Sequence, residues 1–309
     1  MIGARILTTF CFIIALMVFP ARAEGWKDQY PELTLAAVPT ENADATVKRF
    51  APLVTYLSKA LGVPVKLSIA KDYAAVIEGQ RARTTHIARY GPASYAHAVM
   101  DGVQTQPIVT WVHPAGNHGY HSVIYVRASS PYRTIDDLKG KTLALVDPYS
   151  TSGYQAPRFF LQRAGYDVDT FFGTTFFAGS HESAVQALIS GQADAAANHW
   201  NAETDTIVTR MAARGVLKTP EGAPLQPSDF RVVFKSDLMP EGPFAMLASL
   251  PGDLKAAIRT AFIAFPTADK AAFDQLSDGK DEGFTPMTLK DYQPIIDMLR
   301  FNDQPRKKS

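Results

Sequence analysis

Cysteine is almost missing from this 309-residue chain, and the single example is Cys11. It lies in an N-terminal apolar stretch, so the rest of the chain has no disulfide, no thiolate metal ligand and no cysteine nucleophile. Charge of either sign is not in excess: 31 basic side chains face 30 acidic ones. A broad basic surface for nucleic acid is therefore not expected. Beyond the N-terminus there is no apolar run long enough to span a bilayer. Low-complexity bias is also missing, since 20 Gly and 21 Pro are scattered and 46% of residues are hydrophobic. That mix builds a packed core of one large or two ordinary domains.

Several chemical motifs are lacking as well. Gly140-Lys141-Thr142 resembles the end of a phosphate-binding P-loop, but Ile135 stands where that loop needs its first glycine. Gly79, Gly91 and Gly116 form no dinucleotide fingerprint. His113, His118 and His121 are close in sequence without a metal-ligand spacing. No nucleophile elbow or ordered Ser/His/Asp set occurs. An enzyme is not expected, and neither a metal nor a cofactor is called for.

What is present begins with Arg5, the apolar run Ile6 to Phe19 and then Ala21-Arg22-Ala23. A basic start, a short apolar stretch and an A-x-A site describe a secretory signal peptide, cleaved after Ala23. Cys11 is a poor lipid attachment site because Phe10 precedes it and the apolar run would remain on the product.

Strand and helix patterns alternate from there. Leu33–Val38 reads as a strand, and Val47, Phe50, Val54, Leu57 and Leu61 mark one helical face stopped by Gly62. Further strands are expected at 63–70, 86–90, 122–127, 141–146, 193–197 and 231–234. Helices are expected at 72–81, 93–100, 134–138, 154–164, 181–190, 254–265 and 289–299. The alternation predicts an α/β fold with largely parallel sheets.

The segment Ser150-Thr151-Ser152-Gly153 lies between a strand and a helix. Such a helix start offers free backbone N–H groups and the positive end of the helix dipole to an anion. Serine and threonine also serve as plain N-caps, and both readings stand on these residues alone. His181 opens another helix after Gly179-Ser180, where it can donate to an anion or simply face water.

Five segments occur in one order: Asp72-Tyr73-Ala74-Ala75-Val76-Ile77, Tyr90-Gly91-Pro92, Gly119-Tyr120-His121-Ser122, Asp147-Pro148-Tyr149-Ser150-Thr151-Ser152-Gly153-Tyr154 and Gly179-Ser180-His181-Glu182. Together they resemble the phosphonate-binding family of periplasmic solute-binding proteins that serve ABC transporters. The resemblance spans essentially the whole chain after the signal segment. It implies a type II periplasmic binding protein with two α/β lobes and a two-strand hinge. Lobe 1 would be 24–121 plus 236–309, and lobe 2 would be 122–235, with crossings near Ser122 and Lys235.

By the same resemblance, Ser150, Thr151 and Ser152 would hold the oxygens of a small phosphorus oxyanion. His181 would face the same headgroup, Tyr73 and Tyr120 would reach it from lobe 1, and Tyr90 would shape the cleft. The expected partner is a membrane permease, the chain being a periplasmic monomer. A ligand sensor that signals to a membrane kinase would share the fold, and an exported phosphoester enzyme is the remaining rival. Where relatives that bind aminoalkyl phosphonates carry two carboxylates, this chain has Asn201 and, in register, Gly242, with Glu241 one residue early. An amide does not neutralise an ammonium, so a ligand without a terminal amine is expected. Glu182, Glu203 and Glu241 are the acids that could replace the lost carboxylates, and Trp200 could offer a ring face to a cation.

Overall fold

A computed structural model describes residues 25–304. The signal segment and its cleavage site lie outside the described residues. The strands in chain order are β1 (Leu33–Ala37), β2 (Val65–Ile69), β3 (Ile87–Arg89), β4 (Thr105–Val112), β5 (Gly119–Arg127), β6 (Thr142–Leu145), β7 (Thr174–Phe177), β8 (Ala195–Ala202), β9 (Asp205–Thr206), β10 (Phe230–Lys235), β11 (Met239–Pro240), β12 (Phe244–Leu247) and β13 (Gly283–Pro286). They form two sheets. One has the order β13-β4-β12-β3-β1-β2, and the other β10-β5-β8-β6-β7, with β9 on β8 and β11 on β5.

The expectation of largely parallel sheets needs correction. Only the β1–β2, β1–β3, β6–β7 and β6–β8 pairings are parallel among the described residues. The antiparallel pairs come from the chain's departure and return: β4 and β5 carry it out of the first sheet, and β10 to β12 bring it back. β12 shows why it escaped detection. Its four residues, Phe-Ala-Met-Leu, are buried on both faces, so no alternation marks them as a strand.

The helix Ala43–Leu61 covers the first sheet with Phe50, Leu53, Leu57 and Leu61. Its buried stripe is turned from the expected one, since Leu53 faces the core and Val47 is exposed. Gly62 ends it at φ +69°, where a left-handed residue lets its N–H reach the Ser58 carbonyl. Around Trp111, the rings of Phe50, Phe244, Phe262, Phe265, Phe273 and Phe284 form the core of this lobe. The second lobe packs Ile124, Val126, Leu143, Leu145 and Leu161 on one side of its sheet.

Two chain segments join the lobes side by side. Ser236 N–H donates to the Ser122 carbonyl at 2.8 Å, Met239 pairs with Tyr120, and Glu241 N–H donates to the His118 carbonyl at 3.1 Å. The last helix, Gln293–Asn302, packs on both sides of this crossover. Ile295, Ile296, Met298 and Leu299 meet Ala93 and Ala96 of the helix Pro92–Met100, Ala156 of the helix Ala156–Arg163, and Tyr120 and Met239 of the crossover. The C-terminal portion therefore touches the second lobe as well as the first. Its final residue, Asn302, donates from Nδ2 to the Gln155 carbonyl at 2.9 Å and to Gln155 Oε1 at 2.8 Å.

Asn302→Ala removes the donor and leaves buried acceptors without a partner. A loss of about 1–3 kcal/mol is expected. Urea titration should show a lower midpoint at unchanged slope; an unmoved midpoint would show that the helix is held by its apolar face alone.

Candidate functional site

The cleft between the lobes holds a cavity of about 120 Å³ lined by residues of both. Its first end is built by the turn after β6. Ser150 caps the turn, with Oγ accepting from Gly153 N–H at 3.1 Å, and residues Thr151–Gln155 form one wide π-type turn before the helix Ala156–Arg163. Wide turns of this kind loosen the regular hydrogen-bond ladder and often mark functional sites. Gly153 is obligatory in this path, because a Cβ there would overlap the Val146 side chain. Ser122 Oγ fastens the turn to the crossover by donating to the Ser152 carbonyl at 2.7 Å.

The polar residues singled out from the sequence converge here. Ser150, Thr151, Ser152, Tyr73, Tyr120 and His181 all line the cavity, and all are buried. Tyr73 opens the helix Tyr73–Arg81, whose cap is Asp72, with Oδ1 accepting from Ala75 N–H at 2.7 Å. Burial pushes the Tyr73 hydroxyl up and a hydrogen bond with Ser150 partly opposes it. Burial does the same to Tyr120, whose hydroxyl meets Thr151 and Ser152. The first lobe also supplies Ala93 N–H, from the start of the helix Pro92–Met100, to Thr151 Oγ1 at 2.8 Å. Both phenols stay protonated at neutral pH and present O–H groups.

Tyr90 has a different place. It does not line the cavity; its ring is fully buried and its hydroxyl donates to Gln80 Oε1 at 3.2 Å, inside the first lobe. Asn201 does line the cavity, with its Nδ2 donating to Asp205 Oδ2 at 2.8 Å. Trp200 is not part of the lining, and Lys235 sits 4.7 Å over its ring. Glu203 is exposed, and Glu182 pairs with Arg214 at 3.3 Å.

The far end of the cavity consists of buried ion pairs that the sequence reading missed. Arg89 Nη2 meets Glu241 Oε1 at 2.9 Å. Arg210 grips Asp205 from Nε at 2.6 Å and Nη2 at 3.0 Å. Glu41 takes Arg49 Nε at 2.8 Å and, from the other lobe, Arg214. Burial lowers the Arg49 guanidinium, with Glu41 opposing. These arginines belong to no motif in the sequence: Arg49 follows Lys48, Arg89 stands before Tyr90-Gly91-Pro92, and Arg210 and Arg214 are four residues apart. Only the tertiary fold collects them.

His113 occupies the middle of this network, with Nδ1 at 2.6 Å from Asp281 Oδ1. Burial is the largest influence on it and favours the neutral ring, but Asp281 and Glu241 together outweigh burial and hold it up at about 10. Burial likewise opposes the Glu241 carboxylate, and His113 and Arg89 overcome it, bringing it down to about 2. Asp205 is brought down to about 2 in the same way by Arg210. His113, Asp205 and Asp281 place ligand atoms within 4.8 Å of one another. Within the cluster Asp205 is engaged by Arg210, and His113 Nδ1 by Asp281, so these groups are held in an ion-pair network. His118 and His121 lie apart from it, His121 Nδ1 being 2.9 Å from the Ser236 carbonyl.

Gly242 is fixed by packing. A Cβ there would overlap the Tyr90 carbonyl and the Arg89 guanidinium. No carboxylate side chain fits at that register position, and the neighbouring Glu241 carboxylate is committed to Arg89 and to its own Gly242 N–H at 2.8 Å.

The chain as a whole, with this two-lobed fold, has counterparts among known proteins. Residues 35–292 match the family described as ABC transporter, phosphonate, periplasmic substrate-binding protein. The chain belongs to this family. It is 30% identical to the phosphate-import protein PhnD of Mycolicibacterium smegmatis, over 88% of this chain and 85% of that protein. It is 29% identical to the phosphonates-binding periplasmic protein of Escherichia coli, over 88% and 77%. Among solved structures, the binding protein component of an ABC phosphonate transporter from Pseudomonas aeruginosa aligns with TM-score 0.75 at 25% identity, covering 88% of this chain and 86% of that one. PhnD1 from Prochlorococcus marinus in complex with methylphosphonate has the same fold, with TM-score 0.74 at 21% identity over 88% and 98%. As a family member this chain is a periplasmic α/β binding protein with two domains connected by strands. No helix among the described residues is long and apolar enough to cross a membrane.

Glu241→Gln leaves Arg89 without its counter-charge and His113 with Asp281 alone. A loss of about 3 kcal/mol at pH 7 is expected. Because the folded Glu241 pKa is depressed from 4.5 to about 2, its contribution is complete above 4.5 and is lost as pH falls through 2. The gap between wild type and variant should thus hold from pH 5 to 7 and close in acid. Unfolding midpoints across that range test this; a gap that persists at pH 2 would mean the carboxylate charge is not its source.

Proposed function

We propose that this periplasmic binding protein captures one small phosphorus oxyanion, a phosphonate, phosphite or phosphate, and delivers it to a membrane permease as a monomer. The observation that carries the reading is the Ser150–Gly153 turn held between Tyr73 and Tyr120 in a buried cavity. Hydroxyls and the free N–H groups of the turn suit tetrahedral anionic oxygens. The segments around Ser122 and Lys235 act as the hinge between lobe 1 (24–121 and 236–309) and lobe 2 (122–235). Ligand bound to groups from both lobes favours the closed state by their difference in affinity. Hydrogen bonds to a charged headgroup, at about 1.5–3 kcal/mol each, suffice for micromolar affinity after ordering costs.

The preferred ligand has no terminal ammonium. This rests on the far end of the cavity, where Glu41, Glu241 and Asp281 are already paired with arginine or histidine and Asn201 is tied to Asp205. A partly desolvated ammonium there faces an amide, at a cost of about 1–3 kcal/mol relative to a carboxylate.

Calorimetry on ligand-stripped protein tests the reading. Methylphosphonate, phosphite or phosphate should give binding, and Tyr120→Phe should weaken it by about 1 kcal/mol or more. No binding of any of the three would reject the headgroup site. For ligand choice, ethylphosphonate should bind about ten- to a hundredfold more tightly than 2-aminoethylphosphonate. Tighter binding of the amino compound would show that one of the paired acids is released to meet it.

A further inference from the structure

The headgroup end of the cavity contains one polar atom that cannot adapt to its ligand. Asn198 is fully buried on β8, beneath His181. Its Nδ2 donates to the His181 carbonyl at 2.9 Å, and its Oδ1 accepts from His199 N–H at 3.0 Å. A backbone acceptor on one side and a backbone donor on the other fix the orientation of the amide, because the flipped form would lose both bonds. His181 Nδ1 lies 2.8 Å from the same Oδ1. Since Oδ1 can only accept, Nδ1 must carry the proton. In the neutral ring Nε2 then holds a lone pair and is the nitrogen available to the cavity that His181 lines. The surrounding Ser, Thr and Tyr hydroxyls can turn to donate to an anion, but this nitrogen cannot.

We propose that the bound phosphorus oxyanion retains one proton, shared between one of its oxygens and His181 Nε2, so that the site selects an anion able to carry P–OH. This rests on the headgroup reading given above and goes beyond it, since it assigns the protonation state of the complex. Below the second ionisation of the ligand the proton arrives with the monoanion. Above it, the proton is taken from solvent. A sulfonate or sulfate has no such proton at neutral pH and would set a negative oxygen against the Nε2 lone pair.

The surroundings favour the neutral ring. Burial lowers His181 to about 4, against the Asn198 bond and the charge of Glu241. His199 on β8 meets it edge-on at 4.9 Å and is itself held neutral by burial, with His181 and Arg210 adding to that effect and Asp205 and Glu241 opposing it. On the same helix Glu182 is turned to Arg214. The hydroxyls of Tyr73 and Tyr120, raised by burial, bring no charge.

The experiment is calorimetry with methylphosphonate on the full-length mature protein, in buffers of different ionisation enthalpy, at pH 5 and pH 8.5. About one proton per ligand should be taken up at pH 8.5 and about none at pH 5. Affinity should fall about tenfold per pH unit once the ligand is a dianion. At pH 7.5 methylsulfonate should bind at least about a hundredfold more weakly than methylphosphonate. In His181→Gln, whose amide can donate, the uptake at pH 8.5 should vanish and the sulfonate gap should narrow. Binding with no uptake at pH 8.5 would overturn the shared proton while leaving the headgroup site in place. Uptake that persists in the variant would overturn it too, by placing the proton elsewhere. No binding at either pH would reject the headgroup reading itself and this proposal with it.

Discussion

The close approach of Gly153 to Val146 sets the rest of the site. Without a side chain at 153, the turn after β6 folds back on its own strand, and Val146 N–H donates to the Gly153 carbonyl at 3.1 Å. That path widens the first turn of the helix and leaves Ser150, Thr151 and Ser152 at the cavity wall. The same turn is tied to the crossover through Ser122 and to the first lobe through Ala93. One local backbone constraint thus positions the hydroxyls of the turn and connects them to the segments that join the lobes.

Electrostatics divides the cavity into two unlike ends. At the headgroup end the groups are neutral, because burial keeps the phenols protonated and the two histidines uncharged. At the far end the groups are ionised, because each buried charge has a partner within hydrogen-bonding reach. Buried ion pairs contribute little net stability, since desolvation offsets their attraction. Their effect here is on shape: they hold Glu41, Glu241 and Asp281 against arginine or histidine at this end of the cavity. The Glu41–Arg214 pair also spans the cleft, so the network ties the two lobes together.

Much of the fold could be read from residue patterns. The helix Ala43–Leu61 with its Gly62 stop, the strands at 33–37 and 142–145, and the Ser180-capped helix at 181 follow from periodicity and capping. β12, a short run buried on both faces, β13, which ends in proline, and β4, with Pro107 opening a run of five buried residues, have no period to detect. Antiparallel pairing in the returning segments was equally hidden, since register depends on which strand the chain meets.

The sequence by itself determined the chemistry of the headgroup end. Hydroxyls, a glycine and a helix start are contiguous at 150–153, and the resemblance to the phosphonate-binding family grouped them with Tyr73, Tyr120 and His181. Only the tertiary structure decided that Tyr90 turns into the core and that Gly242 admits no side chain. It also decided that Arg49, Arg89, Arg210 and Arg214 gather around one cavity. The reason is range: capping and turn geometry act over three or four residues, whereas Arg89 finds Glu241, and Arg214 finds Glu41, across more than a hundred.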